Sequence, residues 1–226
     1  MKNENKAGGI HRLTFSAVML ALATALALVC AFIPFLHLPY GGGFTLASML
    51  PIVIVSYVYG VKWGLFTSLT YAVIQIVMDL MAGKSSVIIA FFLPDSDQTI
   101  IAAIAIIIID YIIAYGVLGI GGVFRKGASK TKGLVLGSVI ATAARYIAHI
   151  ISGYIFYGAY AEWFFTESFD PDMGAKILGT FDGELLALIY SVIYNGLYMI
   201  PEIVITAVCA AIISRLPQIK AKDLSL

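Results

Sequence analysis

Residues 99–124 read TIIAAIAIIIIDYIIAYGVLGIGGVF, and this stretch decides the fold class. About 20 apolar residues cross the hydrocarbon core of a bilayer as a helix, and this stretch is long enough to do so. Asp110 is the single charged residue in it. A carboxylate at that depth is costly, and the default expectation is that it serves a function.

The composition of the whole chain indicates a membrane protein with several spans. Hydrophobic residues make up 61% of the chain and charged residues 12%, with a mean hydropathy of +0.96. An ordinary soluble domain carries about 25% charged residues. Only helices or closed barrels satisfy their backbone in lipid, and these apolar runs are too long and unalternating for barrel strands. We therefore expect an all-α integral membrane bundle, and the net charge of +1 gives no reason to expect nucleic acid as a partner.

The apolar runs predict six transmembrane helices within a single membrane domain, residues 1–226. Basic residues crowd the termini and the loops on one side of these spans, whereas Lys84 and Lys176 fall in loops on the other side. The positive-inside rule then places both termini in the cytoplasm and the acidic loop before the last span outside the cell. The predicted spans are residues 12–34, 44–60, 64–82, 99–124, 133–158 and 184–214.

Polar side chains recur at similar depth in the last three spans. Arg145, His149 and Tyr157 share one face of the fifth span at helical spacing. One carboxylate among an imidazole, a carboxamide and several phenols is typical of a small-molecule pocket, here open to the outside. Such a pocket suits a flat organic cation through charge pairing and cation–π attraction. The polar residues of the sixth span are Tyr190, Tyr194, Asn195 and Tyr198.

Each of these residues also has a structural interpretation. Tyr157 near a helix end can anchor the chain at the interface, His149 can be a packing residue, and Asn195 can link two helices. Arg145 and Glu202 lie at compatible depths, so we expect an ion pair between them.

Other chemistry finds little support in the sequence. No Walker lysine motif and no cysteine–histidine cluster occurs, so we expect no ATP hydrolysis by this chain, no metal, no cofactor and no catalytic residue. Two alternatives remain open. A proton-coupled secondary transporter would use Asp110 or Glu202 as a relay, and an intramembrane enzyme would use Asp79 with Asp110.

The first span carries a ladder of small residues, Ala17, Ala21 and Ala25. Small side chains at this spacing allow another helix to approach closely, either within the protein or from a partner.

Three segments of the chain resemble the signatures of one membrane family. They are DYIIAYGVLGIGGVFR (residues 110–125), RYIAHIISGYIFYGAYA (residues 145–161) and YSVIYNGLYMIPE (residues 190–202). In this order they are similar to the thiamine-specific substrate-binding subunits of energy-coupling factor transporters. The resemblance implies a six-helix protein that binds thiamine from outside and associates with a transmembrane coupling subunit and two ATPase subunits. It also implies that the ladder on the first span meets the coupling subunit.

The resemblance assigns roles to individual residues. Asp110 takes the acidic position that faces the cationic ligand, Tyr111 and His149 would hydrogen-bond the ligand, and Tyr157 would stack on one of its rings. The loop after the first span would cover the pocket. Asp110 stands where the family has Glu, and Tyr157 where Trp is typical, so a related ligand such as a pyrimidine precursor is the alternative. The remaining members of the expected site are Tyr190, Tyr194 and Asn195 in the wall, and Tyr40 or Phe44 in the loop in place of a tryptophan.

Overall fold

The computed structural model describes residues 2–36, 38, 43–82, 100–217 and 219. Five of its helices are long and apolar enough to cross a membrane, and a sixth apolar helix is shorter. The chain is a multi-pass, all-α membrane protein, as the sequence predicts. Its helices are α1 (Lys2–Ala31), α2 (Leu50–Tyr59), α3 (Val61–Ala82), α4 (Ile100–Gly122), α5 (Lys130–Tyr157), α6 (Pro171–Leu178) and α7 (Gly183–Ile213).

Helix α2 is much shorter than its predicted span, residues 44–60. It begins only at Leu50, and all ten of its residues are buried. A helix of that length rises about 15 Å, half the thickness of the hydrocarbon core. Helix α2 is therefore a half-length element enclosed by the other helices, and the six residues of the span that precede it, 44–49, form a non-helical connection.

Helix α4 is not a uniform α-helix. Ile107–Ile113 is a π-helical stretch and Val117–Gly122 is a 3₁₀ helix. The π-helical stretch includes Asp110, and such bulges occur frequently at functional sites. The sequence predicts one continuous helix here, because no proline marks either irregularity.

The 3₁₀ end of α4 packs directly on α2. The hydroxyl of Ser56 accepts the backbone N–H of Gly122 at 2.9 Å and donates to the carbonyl of Gly119. A Cβ on Gly122 would overlap the backbone carbonyl of Ser56, so only glycine permits this approach. Ser56 thereby joins α2 to the 3₁₀ end of α4.

Helices α5 and α7 lie side by side and carry most of the polar residues. A Cβ on Gly153 of α5 would lie 2.9 Å from Nδ2 of Asn195 and would overlap the hydroxyl of Ser191, both on α7. The absence of a side chain at position 153 therefore sets the spacing of the two helices.

One end of the bundle gathers the basic residues that the sequence places in the cytoplasm. The guanidinium of Arg12 lies 4.0 Å from the ring centre of Trp63, which joins the start of α1 to the start of α3. Arg125 donates to the carbonyls of Tyr57 (3.1 Å) and Val58 (3.0 Å) at the end of α2. These contacts place Arg12 in the first half of α1 and Arg125 after α4 on the same side, as the six-span topology requires.

Candidate functional site

Asp110 is the centre of a polar cluster between α4 and α5. Its Oδ1 lies 2.9 Å from Nδ1 of His149, and its Oδ2 accepts a hydrogen bond of 2.7 Å from the hydroxyl of Ser152. The side chain of Asp110 remains 20% exposed. Each carboxylate oxygen has two lone pairs and here has one partner, so the group keeps acceptor capacity on its exposed side.

The proton position on His149 follows from its second neighbour. Nε of Arg145 lies 3.1 Å from Nε2 of His149. A guanidinium N–H can only donate, so Nε2 must be the acceptor and the ring proton resides on Nδ1. His149 is therefore neutral and donates to Asp110, which orients the carboxylate.

Arg145 is held by groups other than the carboxylate expected from the sequence. Its guanidinium lies 4.0 Å from the ring centre of Tyr115, and Nη1 donates to the sulfur of Met49 at 2.9 Å. The predicted ion pair with Glu202 is wrong. Glu202 instead binds backbone N–H groups of the segment that precedes α2. Depth along the helices was compatible with the pair, but the side chains point to different neighbours.

An aromatic cluster borders this region at the outer ends of α5 and α7. Phe164 contacts Tyr190 and Tyr194 edge to face, with ring centres 5.3 and 5.6 Å apart. Tyr157 is half-buried and packs against the buried pair Ala103 and Ile106 of α4. Such rings supply flat apolar surfaces, and a cationic ring compound is attracted by aromatic faces together with a carboxylate. Phe164 was not among the residues expected from the sequence.

Asn195 has all its polar atoms turned into the protein. Its amide nitrogen donates to the backbone carbonyls of His149 (3.2 Å) and Ser191 (2.8 Å), and its oxygen accepts from the hydroxyl of Tyr198 at 2.6 Å. The ring of Tyr198 in turn contacts His149 edge to face, 5.9 Å between centres. Asn195 therefore links α5 to α7 through the backbone of His149 and, by way of Tyr198, contacts the His149 ring. This agrees with the structural interpretation of Asn195.

Tyr111 points away from Asp110. Its hydroxyl donates to Oδ2 of Asp79 on α3 at 2.7 Å, and its ring is buried beside Tyr115. Two successive residues on a helix face different directions, so the Asp110–Tyr111 pair serves two separate contacts. Asp79 and Asp110 each have their own hydrogen-bonding neighbours and do not form the carboxylate pair of the enzyme alternative.

Of the remaining expected residues, Phe44 and the ladder on α1 lie within the described chain and Tyr40 does not. Phe44 is half-buried, and its backbone N–H donates to the carbonyl of Leu36 at 3.1 Å. Tyr40 lies outside the described residues. The ladder on α1 faces outward, where its three members are exposed. They are Ala17, Ala21 and Ala25.

Sequence reasoning missed two contributors to the cluster, Ser152 and Met49. Ser152 had a usable signal, because it lies three residues after His149 and so shares its face of α5. Met49 had none, since its contact with Arg145 depends on how the segment before α2 folds back. No group of three His, Cys, Asp or Glu side chains able to hold a metal occurs in the described part of the chain.

Three comparisons with known proteins agree with one another. The sequence model of the family described as thiamine transporter protein matches residues 17–163. Thiamine transporter ThiT of Bacillus subtilis (strain 168) is 31% identical over 214 residues, which cover 90% of each chain. A solved structure of ThiT from Listeria monocytogenes superposes with a TM-score of 0.54 at 20% identity. It covers 89% of this chain and 96% of that chain, and so supports the fold.

Proposed function

The chain belongs to the thiamine transporter protein family, and we propose that it captures thiamine from outside the cell as the membrane subunit of an ATP-driven importer. The proposed ligand contact is the Asp110 carboxylate. Transport, in this proposal, uses no bond chemistry by this chain, and ATP is hydrolysed by separate subunits.

The geometry around Asp110 is the observation that carries the proposal. The carboxylate is held by His149 and Ser152 and keeps acceptor capacity on a side that is partly exposed. Thiamine has a permanently cationic thiazolium ring and a flat aminopyrimidine. A fixed carboxylate beside aromatic rings attracts such a cation by charge and by the ring quadrupoles. Tyr157, Tyr190 and Tyr194 are the proposed ring contacts, with Phe44 and Tyr40 as the proposed contacts from the loop after α1.

Binding to the purified protein alone tests this function. We expect saturable thiamine binding, followed by fluorescence quenching and calorimetry. Pyrimidine compounds that lack the thiazolium ring are the matched comparison. Tighter binding of such a compound would identify a pyrimidine precursor as the ligand in place of thiamine. If neither thiamine nor the pyrimidine compound binds, the proposal is contradicted.

The association with a coupling subunit is the second element of the proposal, and it rests on α1. In the apolar part of α1 only 17% of the residues are buried, a smaller share than in the other spanning helices. Ala17, Ala21 and Ala25 form an exposed strip of small side chains on it. Such a strip allows a partner helix to approach closely.

Substitution on α1 separates uptake from binding. Ala21→Leu should abolish thiamine uptake in cells while the purified protein binds thiamine normally. Ala175→Leu, at another exposed alanine but on α6, is the control and should change neither. Normal uptake by the Ala21→Leu variant would contradict the α1 interface, and uptake without ATPase subunits would favour the secondary transporter.

A further inference from the structure

Glu202 is a buried carboxylate that the proposed binding reaction does not use. It lies on α7, is 1% exposed and follows Pro201. Its Oε2 accepts the backbone N–H of Thr45 at 2.6 Å, and its Oε1 accepts that of Ala47 at 3.0 Å. Its Oε1 also accepts the hydroxyl of Thr206, one turn further along α7, at 3.3 Å. A carboxyl group is thus buried to hold a piece of backbone.

That piece of backbone has an unfavourable conformation. The φ angles of Leu46 and Ala47 are 45° and 65°, in the left-handed region that side chains with a Cβ disfavour. Such geometry persists only where the surroundings enforce it. Ser48 adds a hydrogen bond of 2.6 Å to the hydroxyl of Thr45 within the same turn. The connecting segment, residues 43–49, is therefore fixed largely by α7, more than 150 positions away in sequence.

The connecting segment reaches the ligand cluster through its last residue. The sulfur of Met49 accepts from Nη1 of Arg145, whose Nε donates to His149, which donates to Asp110. Each contact sets the position of the next side chain. A displacement of Met49 would release one side of Arg145 and loosen the orientation of His149.

We propose that Glu202 is a positioning residue for the binding site. By holding the connecting segment, it keeps Met49, Arg145 and His149 aligned with Asp110, and it does so without touching the ligand. This inference rests on the proposed function for its effect on thiamine, but the anchoring itself can be tested without any ligand.

A spin label on the connecting segment tests the anchor. Leu46 is 43% exposed, and Leu46→Cys would carry the label in a protein whose own cysteines are removed by Cys30→Ala and Cys209→Ala. Glu202→Gln keeps the shape but turns an NH₂ donor toward a backbone N–H donor. We expect a narrower, more mobile spectrum in Glu202→Gln. Glu184→Gln, an exposed carboxylate on the same helix, is the matched control and should leave the spectrum unchanged.

The second readout is the rate of thiamine release. Glu202→Gln should speed dissociation by about tenfold with little change in association, because the pocket still forms but is held less well. A residue that only stabilised the fold would lower the melting temperature and leave the dissociation rate of the folded fraction unchanged. That result, or an immobile label in Glu202→Gln, would overturn the proposal.

Met49→Leu covers the case in which Glu202→Gln fails to fold. It keeps the volume but removes the sulfur acceptor for Arg145. We expect faster thiamine release with the Leu46 label still immobile, and unchanged release would overturn the proposal. If the unsubstituted protein binds no thiamine, the proposed function fails, and the label mobility alone decides whether Glu202 anchors the segment.

Discussion

Asp110 and Glu202 are both carboxylates within spanning helices, yet their surroundings differ in kind. Asp110 accepts hydrogen bonds from two side chains, His149 and Ser152, and is 20% exposed. Glu202 accepts two backbone N–H groups and, more weakly, the hydroxyl of Thr206, and is 1% exposed. Burial and hydrogen-bonding partners therefore both separate the two carboxylates. The partners of Asp110 leave lone pairs facing the exposed side, whereas the backbone partners of Glu202 hold a connecting segment in place.

The comparison also explains why the two residues suit different tasks in a membrane. Each charge must be compensated locally, since an uncompensated buried charge costs about 3–5 kcal/mol in measured cases. The partners of Glu202 include the backbone N–H groups of Thr45 and Ala47, which belong to the folded chain itself. Asp110 is compensated by neutral donors, so a cationic ligand adds a charge contact that the free protein lacks.

The largest expected effect is that of Asp110→Asn. The substitution removes the charge that faces the ligand, and a hydrogen bond to a charged group contributes about 1.5–3 kcal/mol. Thiamine affinity should fall by about 10–100-fold while the melting temperature changes little. Calorimetric titration measures it, and Glu184→Gln serves as the control. Unchanged affinity would remove the distinction between the two carboxylates.

A smaller effect is expected for Ser152→Ala. Its hydroxyl donates to Oδ2 of Asp110 and orients the carboxylate, and one hydrogen bond contributes about 1 kcal/mol. Affinity should fall about fivefold. Ser68→Ala, which removes a hydroxyl contact to the backbone of Gly116, is a suitable control. An effect as large as that of Asp110→Asn would mean that Ser152 itself contacts the ligand.

Asn195→Ala sharpens the comparison on α7. The amide of Asn195 is bonded entirely within the protein, so its loss should lower stability by about 1–3 kcal/mol. Thiamine affinity of the folded fraction should change by less than about threefold. Thermal unfolding followed by fluorescence, together with titration at low temperature, separates the two. A large loss of affinity at unchanged stability would place Asn195 in the ligand wall after all.

The smallest effect is expected for Tyr111→Phe. The phenol donates to Asp79 and not toward Asp110, so removing its oxygen should leave thiamine affinity within about twofold. The same titration measures it, with Tyr157→Phe as the comparison on the ligand side. A loss of tenfold or more would show that Tyr111 turns toward the ligand on binding.

Much of the architecture was predictable because lipid imposes strong rules on a sequence. The long apolar runs gave the ends of α3, α4, α5 and α7 to within a few residues. The half-length α2 could not be predicted in this way. Its span carries no charged residue, so hydropathy alone does not shorten it. Pro51 in the first turn of α2 was the available signal for a late start, and the capture of residues 45 and 47 by Glu202 shows where the preceding segment goes.

The candidate site divides in the same way. Helical spacing placed Arg145 and His149 on one face, and charge singled out Asp110, so their proximity could be expected from the sequence. The directions of Asn195 and Tyr111 could not, because each had equally good partners on more than one neighbouring helix. The Arg145–Glu202 pair failed for the same reason.

By itself, the sequence determined that this chain spans a membrane as an α-helical bundle and that it carries a carboxylate at depth. Hydrophobicity and helical periodicity depend only on residues close together in the sequence, and these two properties were sufficient to predict the spans and to identify Asp110. Only the tertiary structure decided the environment of each carboxylate. Asp110 remains partly exposed, whereas Glu202 accepts hydrogen bonds from backbone amides and is buried. Hydrogen bonds between residues more than 100 positions apart depend on where the helices and connecting segments finally lie.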